Sequence, residues 1–297
     1  MQTLLTTQAL REASVHLPSS VKLIDTLYRA LQQPDVDAEK VIGLMSMDIG
    51  IATRLLRMAN TASLSRGETV TSIEQALSWL GMAQAYRVTC ATLSAKLCEQ
   101  SLPLYRISGE KLLANSIAMA VGMEVITKKT DLDPKTAYTI GLMHNLGRIV
   151  LQRVAAHQDI PVGSADLSDH AAVMEWERTH LGCTHPEAGA AVLKLWGLNG
   201  LFCDVITHQY EPDYAQNEQV RRWSALIHIT ASAVATTDFG LGVTGDAWPL
   251  NETMFATAGL ANVDILELGE EITVATTRFC EQSGLHLQAG SKPVSRH

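Results

Sequence analysis

The chain has 297 residues, 46% of them hydrophobic, which is enough to bury a sizeable core, and it carries a net charge of -8. That acidic balance, with no basic cluster to offset it, excludes a general binder of nucleic-acid backbone, which needs grouped Lys and Arg to displace counterions. Cys90, Cys98, Cys183, Cys203 and Cys280 are odd in number and lack CxxC spacing, so neither a disulfide framework nor a zinc site is suggested, and a reducing cytoplasm fits best.

Residues 1–14 form an N-terminal segment without a basic stretch ahead of an apolar core, and Arg11 and Glu12 interrupt any signal peptide. Val21, Ile24, Leu27, Tyr28 and Leu31 then recur at helical steps until Pro34 and Asp35 stop the pattern. Asp37 is placed to cap a helix carrying Val41, Ile42, Leu44 and Met45, and Asp48 to cap one carrying Ile51, Leu55, Leu56 and Met58. Thr71 with Glu74 and Ser72 with Gln75 offer two overlapping capping-box registers before Ala76, Leu77 and Leu80, and Gly81 marks the end of that helix. The apolar stretch 112–126 is broken by Asn115, Ser116 and Glu124 and is too short to span a bilayer comfortably. Residues 157–169, polar and holding Pro161 and Gly163, read as a loop. A second break at 236–249 precedes a final helical segment near 251–283 and a frayed tail, SKPVSRH. Period-two patterns beside hairpin turns are scarce, so the expected fold is all-α.

Five separated motifs carry a family resemblance. LPSSVKLIDTLYRALQQPD (17–35) with MDIGIATRLLRMANTAS (47–63), VTSIEQALSWLGM (70–82), YTIGLMHNLGRIVL (138–151) and HPEAGAAVLKLWGL (185–198) together resemble the HDOD family, a branch of the HD phosphohydrolase superfamily whose metal pocket is often degraded. The resemblance covers 15–236 and implies an N-terminal helical lobe to about residue 100 and an HD-like lobe over about 107–236, leaving 237–297 as linker, helical segment and tail.

In HD enzymes, adjacent His and Asp side chains both enter a divalent-metal pocket, the imidazole as neutral nitrogen ligand and the carboxylate as charge-neutralising oxygen. Here the doublet is His144 and Asn145, and a neutral amide is a much weaker partner for a metal that must activate water. The resemblance also places Asn115 where an earlier ligand His belongs, His185 and His208 at later histidine positions with Gln209 after the second, and Ala231 where the last Asp would fall. No carboxylate survives at the matched positions. Glu187, two residues after His185, is expected to face away from it. The expectation is therefore no metal, no cofactor and no catalytic residue.

His228 beside Ile227 and Ile229 reads as a satisfied core histidine. Met119, Met123, Met143 and Met174 read as packing, and Trp79, Trp176 and Trp196 as buried rings with a tethered indole nitrogen. Arg54 and Arg57 are the candidate partner surface. The implied function is non-catalytic regulation or signal transduction through a protein partner acting in trans, without a membrane. A metal-dependent phosphohydrolase using His144, His185 and His208, or a nucleotide sensor, are the alternatives.

Overall fold

The computed structural model describes residues 20–63, 69–157, 160, 167–198, 200–243, 248–261, 263–285 and 287. Among these residues all regular structure is helical, in agreement with the expected all-α class, and the one β feature is an isolated bridge between Leu102 and Ile107. The expected N-terminal segment and the SKPVSRH tail lie outside the described residues, as does most of the loop expected at 157–169. No helix among the described residues is long and apolar enough to cross a membrane. The chain divides into two compact units, a smaller one of residues 18–97 with 276–287 and a larger one that includes 98–275. The described residues after 237 are divided between the two units.

The smaller unit contains α1 (Ser20–Leu31), α2 (Ala38–Ser46), α3 (Ile49–Ser63), α4 (Ile73–Leu80) and α5 (Met82–Leu97), closed by the end of the last helix, α14 (Ile265–Ser283). The apolar stripes do what their spacing requires: Ile24, Leu27, Val41, Met45, Ile51 and Leu55 are fully buried, each contributing about 1.5–3 kcal/mol relative to exposure. Asp37 caps α2 by accepting from the Lys40 amide at 3.0 Å. Of the two capping registers before α4 the chain uses Ser72, which accepts from the Gln75 amide, while the Gln75 side chain reaches back to the Thr71 amide at 2.9 Å. Gly81, with φ +76°, ends α4. Of this unit's buried hydroxyls, Thr92 and Ser283 donate to carbonyls one turn earlier, at 2.7 Å each, whereas Thr89 and Thr276 Oγ1 have no hydrogen-bond partner among the described residues.

The larger unit contains α6 (Gly109–Thr127), α7 (Pro134–Met143), α8 (Leu146–His157), α9 (His170–Leu181), α10 (His185–Leu195), α11 (Gly200–Thr207), α12 (Glu218–Ala235), α13 (Glu252–Ala258) and the first part of α14. α6 is buried around nearly its whole circumference, as a helix without a polar face must be. It packs against α7 and α12.

Candidate functional site

Close backbone approaches fix where the doublet lies. A Cβ on Gly141, in the last turn of α7, would meet the Met119 carbonyl oxygen of α6 at 2.5 Å, and one on Gly147, in the first turn of α8, would meet the His185 carbonyl oxygen at 1.7 Å. Only glycine permits either contact. His144 and Asn145 form the joint between α7 and α8, so the two glycines bring the doublet beside Asn115 on α6 and His185 at the start of α10.

His144 is buried, and its Nδ1 faces the Gly141 carbonyl oxygen at 2.7 Å. A carbonyl cannot donate, so the proton sits on Nδ1 and Nε2 keeps its lone pair. Burial pushes the imidazole pKa down to about 3, the nearby Arg148 and His185 adding to the effect against the Gly141 bond. His144 is therefore neutral near pH 7.

The two amides that replace expected ligands satisfy each other. Asn145 Nδ2 donates to Asn115 Oδ1 at 2.9 Å, and Asn115 Nδ2 donates to the Phe239 carbonyl at 3.1 Å. On the other side, Arg148, also buried, donates from Nη1 to Asn145 Oδ1 at 3.3 Å and from Nη2 to Tyr210 Oη at 3.0 Å. Its guanidinium carbon stands 5.8 Å from the centroid of the Tyr105 ring, within cation–π reach.

His185 heads α10 behind a full capping box, Thr184 with Glu187. Its own backbone N–H, one of the donors that a helix start leaves without an intrahelical partner, goes to Glu177 Oε2 at 2.7 Å. The ring Nδ1 lies 2.9 Å from both Glu177 oxygens, and Nε2 lies 3.0 Å from Tyr210 Oη. Tyr105 Oη donates to Glu177 Oε1 at 2.6 Å. Because Tyr210 already accepts from Arg148, the arrangement consistent with these contacts has Tyr210 donating to His185 Nε2 and His185 donating to Glu177. Burial and the Glu177 charge hold the Tyr105 phenol well above the usual range. Tyr210 also stacks on Trp248 at 4.2 Å and on His170 at 5.2 Å between centroids.

A continuous polar path thus runs from the Phe239 carbonyl through Asn115, Asn145, Arg148, Tyr210 and His185 to Glu177 and Tyr105. Of the sequence-derived residues it unites Asn115, Asn145 and His185, with His144 adjoining. Gln209 is buried and reaches the His144 carbonyl only at 3.5 Å, and its Oε1 has no hydrogen-bond partner. His208 does not join: it follows the last turn of α11, is partly exposed, and no hydrogen bond or ring contact ties it to His144 or His185. Ala231 is buried on α12 and brings only a methyl group. His228 is a core histidine, with Nδ1 3.2 Å from the Gln209 carbonyl and Nε2 2.8 Å from the Pro249 carbonyl. Glu187 turns away to its cap and to Arg178.

Arg148, Glu177, Tyr105 and Tyr210 were missed. Glu177 left a signal: it lies four residues from both Val173 and Leu181, on the buried stripe of α9, where an unpaired carboxylate does not belong.

These residues do not fit a divalent metal. Among the described residues no group of three His, Cys, Asp or Glu side chains could hold one, and the amides nearest His144 are spent on each other and on a guanidinium that would repel a dication.

In the smaller unit, Arg54 Nη1 donates to the Gly284 carbonyl at 2.9 Å, so this candidate surface residue is partly committed to the chain's own backbone. Arg57 is exposed, although its guanidinium also flanks Gly284.

The chain belongs to the HDOD family, whose domain model matches residues 17–212. An HDOD domain protein of unknown function from Geobacter sulfurreducens has a similar solved structure, at 19% identity and a TM-score of 0.66, covering 93% of this chain and 97% of that one. A protein from Marinobacter aquaeolei with a provisional signal-transduction name matches at 17% identity and a TM-score of 0.68, over 93% of this chain and 64% of that one. One from Shewanella amazonensis with a provisional phosphohydrolase name matches at 20% identity and a TM-score of 0.57, over 93% and 98%. An uncharacterised protein of Treponema pallidum is 25% identical over 239 residues, 75% of this chain and 42% of the relative, so the chain spans less than half of that relative's length.

Proposed function

We propose that this HDOD chain is a non-catalytic regulatory or signal-transduction protein that acts by binding a protein partner. One observation carries the reading: the amide of Asn145 is bonded to the amide of Asn115 and to Arg148. Side chains that would have to turn toward a metal and its water are thereby used up within the protein. General-base hydrolysis at a metal needs a carboxylate to offset the ion's charge and an open coordination position, and the carboxylate that is present, Glu177, is fully buried behind His185 and Tyr105.

The signal-transduction name borne by the Marinobacter aquaeolei protein agrees with this reading, and the phosphohydrolase name borne by the Shewanella amazonensis protein states its rival. We place the partner contact on the smaller unit, around α1, α3 and the exposed Arg57, where the family motifs are dense and no HD chemistry needs them. An affinity capture from the native host with the parent chain and with Arg57→Glu tests it. Loss of a reproducible partner in the folded variant supports the surface, and equal capture by both removes it. A parallel screen against nucleotides and cyclic dinucleotides, with manganese present, is expected to give no turnover.

A further inference from the structure

We infer that the arginine pair on α3 of the smaller unit receives an acidic segment of the protein partner, a run of Asp or Glu with an apolar residue beside it. The inference rests on the partner-binding reading and adds the chemistry of what binds. α3 carries Arg54 and Arg57, one turn apart, and no acidic residue in its 15 positions. Neither arginine forms a salt bridge with a carboxylate among the described residues. Arg54 is fixed by its bond to the Gly284 carbonyl at 2.9 Å, and the Arg57 guanidinium lies against the same glycine. Burial and the neighbouring Arg57 charge both lower the Arg54 pKa, as two cations held together without an anion require. The end of α14, which Gly284 follows, offers about half a negative charge against two positive ones.

Charge is unevenly shared along the chain. Of its 23 Lys and Arg and 31 Asp and Glu, nine and eight respectively fall within 18–97 and 276–287, the smaller unit. The acidic excess lies in the rest of the sequence, so an acidic partner is repelled there and drawn to this unit. On α3, Ile49, Thr53, Arg57 and Thr61 recur every four residues as an exposed stripe. Ile49 is 85% exposed and Met47, just ahead of the helix, 78%. A helix rises 1.5 Å per residue, so the apolar end stands roughly 12 Å from Arg57. That spacing fits an extended segment whose carboxylates come about four residues from an apolar side chain. The guanidinium N–H groups not spent on Gly284 supply the donors, in the planar fork that a carboxylate matches.

The test is fluorescence anisotropy of labelled synthetic peptides titrated with the full chain at low salt. One peptide carries Leu four residues ahead of a Glu-Glu-Asp run, a second has Lys in place of the acids, and a third has a single phosphoserine in place of the run. The acidic peptide is expected to bind saturably and the Lys peptide not at all, and added salt should weaken the binding. Arg54→Gln/Arg57→Gln, checked by melting to be folded, should weaken it roughly tenfold, and Ile49→Ser roughly threefold. No saturable binding of the acidic peptide, equal binding of the Lys peptide, or parent-like binding by the folded double variant would overturn the proposal. Binding confined to the phosphoserine peptide would overturn it too, in favour of a phosphoryl site. Should the double variant not fold, the exposed Arg57→Gln alone is expected to cost roughly threefold, and parent-like binding by that variant overturns the proposal. If the acidic peptide fails while Arg57→Glu still loses the partner captured from the host, the acidic chemistry falls and the partner surface stands. Capture unchanged by Arg57→Glu overturns both.

Discussion

The two units bury polar groups in different ways. In the smaller unit they are mainly hydroxyls, of which Thr92 and Ser283 donate to a carbonyl of their own helix, Val88 and Phe279, while Thr89 and Thr276 Oγ1 have no hydrogen-bond partner among the described residues. In the larger unit, ionisable and amide side chains from α6, α8, α9 and α10 and from the segment beyond α11 are bonded across helices. A locally bonded hydroxyl can be replaced by a methyl at little cost. A network spanning four helices cannot lose one member without leaving others unmet. The contrast teaches that, among the described residues, the polar network bonded across helices lies in the larger unit.

The comparison is tested most severely at Gly147. Gly147→Ala puts a methyl into the His185 carbonyl, and since only backbone movement relieves it, the larger unit is expected to lose roughly 3 kcal/mol or more. In the smaller unit, by contrast, a Cβ on Gly43 in the middle of α2 meets nothing within 4 Å, and Gly43→Ala should gain about 0.5–1 kcal/mol. Denaturant unfolding of both variants checks the pair, and equal losses would erase the distinction. Glu177→Ala comes next. It strands the Tyr105 hydroxyl and two N–H groups of His185, for an expected loss of about 3–5 kcal/mol. Thr92→Val, the matching deletion in the smaller unit, should cost under about 1 kcal/mol.

Acid provides a graded test. His144 has its folded pKa pushed down to about 3 from an ordinary 6.5, chiefly by burial, and His228 is shifted the same way for the same reason. The unfolded chain therefore binds the proton that the folded chain refuses. The stability contributed by neutral His144 is complete above pH 6.5 and is lost as pH falls toward 3, at about 1.4 kcal/mol per pH unit. The smaller unit has no histidine among its described residues, and its Asp48, held below the ordinary 3.8 first by Lys96, loosens only in stronger acid. Hydrogen exchange followed from pH 7 to pH 4 should show the larger unit opening first, and His144→Gln should flatten its slope. The smallest effect is at the arginines. Arg54→Ala should cost about 1 kcal/mol through the lost Gly284 bond, whereas the exposed Arg57→Ala should leave stability within about 0.5 kcal/mol.

Much of this was legible in the sequence. The apolar stripes, the caps at Asp37 and Ser72, the stop at Gly81 and the all-helical class follow from local rules, because each depends on residues within one or two turns. The doublet and Asn115 were legible through the family motifs, and their neutral amides already argued against a metal. What the amides do instead was not legible, since Asn115 and Asn145 are 30 residues apart and Arg148 reaches Tyr210 over a separation of 62. His208 was expected inside because the family places a histidine there. α11 ends at Thr207, and past that end it is Gln209 that is buried while His208 stays partly exposed. Glu177 carried a local mark, a carboxylate on a buried stripe, and Arg148 lies within the doublet's own motif.

The central claim is that the larger unit's polar interior is closed on itself and offers no place to a metal. Calorimetric titration of manganese into the parent chain, with elemental analysis of the purified protein, tests it most directly. The account predicts no saturable heat, no stoichiometric iron, manganese or zinc, and a melting temperature that a chelator leaves unchanged. Close to one equivalent of bound metal, removed by chelation together with stability, would contradict it.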